Sequence, residues 1–111
     1  MDLLGLERAL TVLAARSRVL SDNLANANTP LYTRRDVPFF SVMRRVLEGE
    51  PQTAIPVATD LTPSARGDGN NTVPERELAS LSQTAIMYRA TMQLAAREFA
   101  LLRTAITEGR R

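Results

Sequence analysis

The sequence contains no cysteine, no histidine, no tryptophan and no lysine. Without Cys or His there is no disulfide, no thiolate nucleophile, no imidazole base and no donor set of the usual zinc or haem kind. Catalysis would have to come from carboxylates and hydroxyls, and the carboxylates are not arranged for it. Asp60, Asp68 and Glu75 lie nearest to turns, but none has a base, a second acid at fixed spacing or a phosphate-cradling glycine loop beside it. Long apolar runs are missing too, since nothing approaches the ~18 unbroken apolar residues of a membrane span. The opening stretch Met1-Asp2-Leu3-Leu4-Gly5-Leu6-Glu7 has no basic region and is interrupted by charge, which does not fit a cleavable secretory signal. These absences predict no catalytic residue, no cofactor, no metal and no small-molecule substrate.

With 111 residues the chain makes one domain at most, and two long helices would leave little of it to enclose a core, so a stable fold needs neighbours. All 14 basic residues are Arg, set against 12 acids for a net charge of +2. They are spread along the chain, so no basic stripe tracks a phosphate backbone, and a small helical nucleic-acid binder is the least favoured reading. Arg34-Arg35 and Arg44-Arg45 fit either a solvated basic face or contacts to acidic neighbours.

What the chain does have is the same apolar seam at both ends. Leu3, Leu6, Leu10, Leu13, Ser17, Leu20, Leu24 and Ala27 follow at alternating steps of three and four, as do Leu78, Leu81, Ala85, Tyr88, Met92, Ala95, Phe99, Leu102 and Ile106. That repeat keeps one edge of a helix apolar along its length and suits it to pack against another helix. A second stripe on the later helix, Met87, Thr91, Leu94, Glu98, Leu101 and Ala105, predicts contact with more than one neighbour.

Local signals set the boundaries. Asp2 caps a first helix that runs to Ala27 or Asn28 and is stopped by Thr29-Pro30, with Asn28 as its C-terminal cap. Residues 31–36 are extended. Phe39 to Leu47 leaves helix and strand both open, and Ala54-Ile55-Pro56-Val57-Ala58 is at best an edge strand in a stretch broken by Pro51, Pro56, Pro63, Gly67 and Gly69. Asp68-Gly69-Asn70-Asn71 is a turn. Thr72-Val73-Pro74-Glu75 predicts a capping box, Thr72 capping and Glu75 reaching back, from which a second helix runs to Glu108 and ends at Gly109.

Three Asn and an Asp crowd the last turns of the first helix, where such side chains compete with the helical backbone. The segment Ser21-Asp22-Asn23-Leu24-Ala25-Asn26-Ala27-Asn28-Thr29-Pro30-Leu31-Tyr32 resembles the signature of the bacterial flagellar axial proteins, approximately S-x-N-[LI]-A-N-x-x-T-P-G-Y. Within them the chain is similar to the basal-body rod proteins of the proximal type, with support from Asp68-Gly69-Asn70-Asn71, Glu77-Leu78, Tyr88-Arg89-Ala90, Phe99 and the run from Leu102 to Arg110. The motif residues are Asn23, Leu24, Ala25, Asn26, Thr29, Pro30 and Tyr32, with Asn23, Asn26 and Asn28 expected to hydrogen-bond the crossing from helix to extended segment. Leu31 stands where the family has Gly, so the turn after Pro30 is expected to keep both central residues at negative φ.

The resemblance implies a subunit of the proximal rod, polymerising through its terminal helices to transmit torque from the MS ring to the distal rod and hook. Its implied partners are copies of itself, other rod subunits of the FlgC and FlgF types, the MS-ring protein, the rod-to-ring junction subunit FliE and the flagellar type III export apparatus. Its implied place is the periplasm-spanning rod, reached without a cleaved signal peptide. Another rod subunit and a non-flagellar coiled-coil adaptor are the alternatives. The expected fold is mostly α, with the N- and C-terminal helices paired as an antiparallel coiled coil and an irregular middle holding at most short β segments. Residues 1–28 form the N-terminal helix, 29–71 the extended and looped middle, and 72–111 the C-terminal helix. The assembly interface is predicted on Leu3, Leu6, Leu10, Leu13, Leu20, Leu24, Leu78, Leu81, Tyr88, Met92, Phe99, Leu102 and Ile106, with Asp68, Gly69, Asn70, Thr72 and Glu75 as turn and cap residues.

Overall fold

A computed structural model describes residues 2–50 and 54–109; residues 1, 51–53, 110 and 111 lie outside the described residues. The described chain is elongated, 69 × 24 × 15 Å, and three helices dominate it: α1 (Leu3–Ala25), α2 (Phe39–Leu47) and α3 (Pro74–Glu108). Two short strands, β1 (Arg35–Asp36) and β2 (Ala58–Thr59), pair antiparallel with Arg35 opposite Thr59 and Asp36 opposite Ala58. Of the expected edge strand only Ala58 is in β2, because Pro56 lacks the N–H a longer ladder would need.

Asp2 caps α1 as expected: its Oδ1 accepts from the Gly5 N–H at 2.8 Å. The other end falls earlier than expected, at Asn26 instead of Asn28, where the cap N–H and the side-chain amide of Asn26 both turn back to the Asp22 carbonyl. Phe39–Leu47 is helical. Val42 and Val46, one turn apart, bury the same face of α2, and Gly49 at φ +78° closes its end in the left-handed conformation that glycine adopts without strain.

Two cores share α1. Its antiparallel partner is α3: Asn23 meets Glu77, while Leu10 and Ala14 share a groove with Tyr88, so residue numbers fall along one helix as they rise along the other. Leu6, Leu13 and Leu20 are buried on the seam side of α1. A second apolar cluster lies on another face, where Ala9, Val12 and Val19 pack with Val37, Val42 and Val46 under Phe39, Met43 and Ile55. Arg16 edges this cluster, stacking over the Phe39 ring at 5.2 Å and pairing with Asp36 at 3.3 Å. The seam pattern gave no sign of this second core, because Val12 and Val19 lie off the Leu stripe and their partners sit in the middle of the chain.

The covered face of α3 is rotated from the predicted seam. Glu77 and Thr84 are buried and Ser80, Leu81, Met87, Tyr88, Thr91 and Ala95 half-buried, whereas Leu78 and Met92 are exposed. Hydroxyls are tolerated there because each finds an acceptor in its own helix: Thr84 Oγ1 donates to the Ser80 carbonyl and Thr91 Oγ1 to that of Met87, both at 2.7 Å. Among the described residues no helix is long and apolar enough to cross a membrane.

Candidate functional site

The chain's polar side chains converge on one elbow, where α1 ends, the extended segment leaves and α3 begins. Asn23 is fully buried there and uses its whole hydrogen-bonding capacity. Its Nδ2 donates to the Arg35 carbonyl (2.7 Å) and to Glu77 Oε2 (3.3 Å), and its Oδ1 accepts from the Arg35 N–H (3.0 Å) and the Tyr32 hydroxyl (2.9 Å). The paired bonds to Arg35 copy a strand-to-strand exchange, fixing the extended segment against the helix it has just left.

Arg34 sits beside it. Its guanidinium donates to Glu77 Oε1 at 2.6 Å and also pairs with Asp60 and, at 3.4 Å, with Asp36. Burial alone would lower its pKa, but Glu77, Asp60 and Asp36 together hold it above the ordinary arginine value. Asp60 is pulled the other way: burial would raise it, and hydrogen bonds from Thr62 together with Arg34 hold it below the usual carboxylate range. Arg34 is therefore neither a solvated face nor a contact for acidic neighbours, since its acids come from its own chain. Arg35 pairs with Asp22 at 3.5 Å and stays half-exposed.

Two further asparagines tie the turn at 68–71 to α1. Asn70 Nδ2 donates to the carbonyls of Asn26 (2.8 Å) and Thr29 (2.9 Å), a second donor from a distant segment beside the local turn bonds those carbonyls accept from the Thr29 and Tyr32 N–H groups. Arg66 adds a bond to the Ala27 carbonyl. Asn71 Oδ1 accepts from the Arg34 N–H at 2.8 Å, and its Nδ2 donates to the Asp60 carbonyl at 2.7 Å. The crossing is thus bonded by Asn23, Asn70 and Asn71. Asn26 bonds only locally through its side chain, to Asp22 and to the Thr29 hydroxyl, and Asn28 is exposed.

Two local expectations fail here, for reasons that lie elsewhere in the chain. Leu31 takes φ +65°, not a negative value, because its N–H is drawn to the Asp68 carbonyl at 2.8 Å while Tyr32 closes the turn on Thr29. A non-glycine residue in that region costs about 1–2 kcal/mol. Gly69, at φ +82°, accommodates it: a Cβ there would lie 2.7 Å from Leu31 Cδ2. The capping box does not form either. Asn70 Oδ1 holds the Thr72 N–H at 2.8 Å, the N-cap position falls on Val73 with no side-chain cap, and Pro74 opens α3. Thr72 is buried with its Oγ1 unpartnered among the described residues, and Glu75 is exposed in the first turn, where its charge suits the helix dipole.

At the opposite end of the molecule α3 runs past the start of α1. There Leu102, in line with half-buried Leu81, Tyr88 and Ala95, continues the covered face, while Phe99 and Ile106, in line with exposed Leu78 and Met92, lie beside it; Phe99, Leu102 and Ile106 are 58%, 51% and 52% exposed, and the groove beside them is lined by α3 residues alone. Of the predicted interface, Leu6, Leu13 and Leu20 are buried inside the chain, Leu3, Leu10, Leu24, Leu81 and Tyr88 half-buried, and Leu78, Met92, Phe99, Leu102 and Ile106 exposed. Glu77 and the bonding role of Asn70 and Asn71 were missed. The available signal was an acidic residue at heptad spacing from Thr84, on the side of α3 next to the seam.

Residues 3–33 match the family model described as Flagella basal body rod protein. The chain is 38% identical over 72 residues to the flagellar basal body rod protein FlgB of Yersinia enterocolitica, an alignment covering 65% of this chain and 52% of that protein. It is 25% identical over 120 residues to the FlgB of Bacillus subtilis strain 168, covering 96% of this chain and 93% of that one, and 28% identical over 108 residues to the FlgB of Escherichia coli K12, covering 78% of each. The chain spans about half the length of the Yersinia protein and nearly all of the Bacillus one. The matched segment contains α1, the Thr29-Pro30 turn and Asn23, which form the N-terminal side of the elbow, and the chain is similar to the flagellar basal-body rod proteins of the FlgB type.

Proposed function

We propose that this rod subunit polymerises through its two terminal helices and passes torque from the MS ring toward the distal rod and hook. The observation that carries the reading is the far end of α3, where Leu102 stays half-exposed on the face that α1 covers lower down, with Phe99 and Ile106 exposed beside it. An apolar stripe of that kind marks a protein contact, and a helix already shaped to pack on another helix is suited to a helical neighbour. Its neighbours in this reading are copies of itself, rod subunits of the FlgC and FlgF types, FliE and the MS-ring protein, with the middle of the chain facing outward. The chain reaches them through the flagellar type III export apparatus, without a cleaved signal peptide. Its role is structural and not catalytic.

The test is Leu102→Asp in the chromosomal copy. The side chain is half-exposed in the monomer, so the variant should be made and exported, yet a charge in a desolvated helix interface should prevent rod assembly and swimming. Normal motility would remove the stripe from the mechanism.

A further inference from the structure

The seams of α1 and α3 repeat every heptad, so the two helices fit each other in more than one register. Sliding α1 by one heptad toward the C-terminus of α3, about 10 Å, sets seam against seam again. It would carry the start of α1 over Leu102, beside Phe99, and uncover the segment of α3 that holds Glu77 and Ser80. Apolar burial alone therefore does not choose between the two packings, and the structure holds α1 at the polar end of α3.

What distinguishes the two registers is a set of directional polar contacts available in only one of them. Glu77 is buried, with one carboxylate oxygen on Arg34 and the other on Asn23. After a slip Asn23 would stand level with Thr84, whose hydroxyl is already committed to the Ser80 carbonyl, and Glu77 would lose both partners. The slipped packing would exchange the Glu77 pairings for water and leave the Asn23 amide short of a partner inside the helix pair, and a polar residue matched in one register alone is how register is set in coiled coils.

We infer that Asn23, Arg34 and Glu77 form a register lock, which keeps α1 on the N-terminal part of α3 and thereby leaves the Phe99–Leu102–Ile106 stripe uncovered. That the uncovered stripe then receives a neighbouring subunit rests on the rod reading; the lock itself does not.

The absence of native cysteine allows a direct measurement on the full chain. Spin labels on Arg18→Cys and Arg103→Cys, both exposed and outside the lock, are about 30 Å apart along the helix axes in the observed register and about 20 Å apart after a one-heptad slip. Two variants test the lock by electron–electron distance measurement. Asn23→Leu/Arg34→Met/Glu77→Leu replaces the trio with apolar side chains and should add a population about 10 Å shorter. Glu77→Leu/Thr84→Glu moves the carboxylate one heptad along the same face and should shift the main distance by the same amount. An unchanged distance in either variant while it remains helical overturns the lock. Loss of the helical signal in both overturns it as well, since the trio would then support folding without selecting between packings. Failure of the rod reading is seen separately, in the motility of Leu102→Asp.

Discussion

The two ends of α3 are built on opposite principles. At its start Glu77 is held by Arg34 and Asn23 from other segments, and Asn23, Asn70, Thr72, Glu77 and Thr84 are all buried. At its finish the apolar side chains Phe99, Leu101, Leu102 and Ile106 are exposed and face no other element of the chain. Polar satisfaction is directional and specifies one geometry, whereas apolar burial is nearly indifferent to which partner provides it.

The contrast breaks most sharply with the same substitution made at both ends of the seam. Leu13→Asp puts a charge where the side chain is 1% exposed, and should cost about 5 kcal/mol or more, enough to unfold a small domain. Leu102→Asp should leave the isolated chain within about 0.5 kcal/mol of the parent. Urea unfolding of both, followed by circular dichroism, measures the difference; comparable losses would mean that the far end is covered within the monomer.

Next in size is Arg34→Met, which leaves Glu77 buried without its cation and should cost about 3–5 kcal/mol on the same assay. A loss under about 1 kcal/mol, the range of a surface ion pair, would show that the elbow is held by its asparagines alone. Asn70→Ala comes third, at about 1–3 kcal/mol, because the Asn26 and Thr29 carbonyls keep only their local turn bonds and the Thr72 N–H loses its acceptor. Faster hydrogen exchange confined to the end of α1 would locate the effect; an unaltered exchange pattern would mean that water replaces the amide.

The smallest effect is a pH dependence. Asp60 and Asp68 are both held below their ordinary pKa, Asp68 chiefly by the Asn70 N–H with help from Arg66. A carboxylate with a depressed folded pKa stabilises the fold fully above its unfolded value, about 4, and the contribution is lost as pH falls through the folded value. Stability should therefore be level from pH 7 to about 5 and decline below 4. In Asp60→Asn the decline should be shallower; an identical slope would assign it to other carboxylates.

What was legible beforehand tracks how far apart the interacting groups lie in the chain. The Asp2 cap spans three residues and was readable, as was the end of α3 at Gly109, whereas α1 stops at Ala25, ahead of the expected Thr29-Pro30 break. The Asn-rich segment was recognisably unusual, but its partners were not: Asn23 reaches Glu77 across 54 residues, and Asn70 reaches Asn26 across 44. Arg34 looked solvated because two of its three acids are far off in sequence. Thr72 resembled a cap because nothing in its neighbourhood shows that Asn70 takes its N–H.

The sequence by itself determined two long terminal helices suited to pack together, since helix periodicity, caps and proline breaks act within a few residues of where they are written. Only the tertiary structure decided which register the helices adopt, which asparagines are buried, why Leu31 takes a glycine conformation and which apolar stripe stays open. A seam that repeats every heptad matches its partner equally well at several offsets, and the choice among them falls to polar contacts between segments that folding alone brings together.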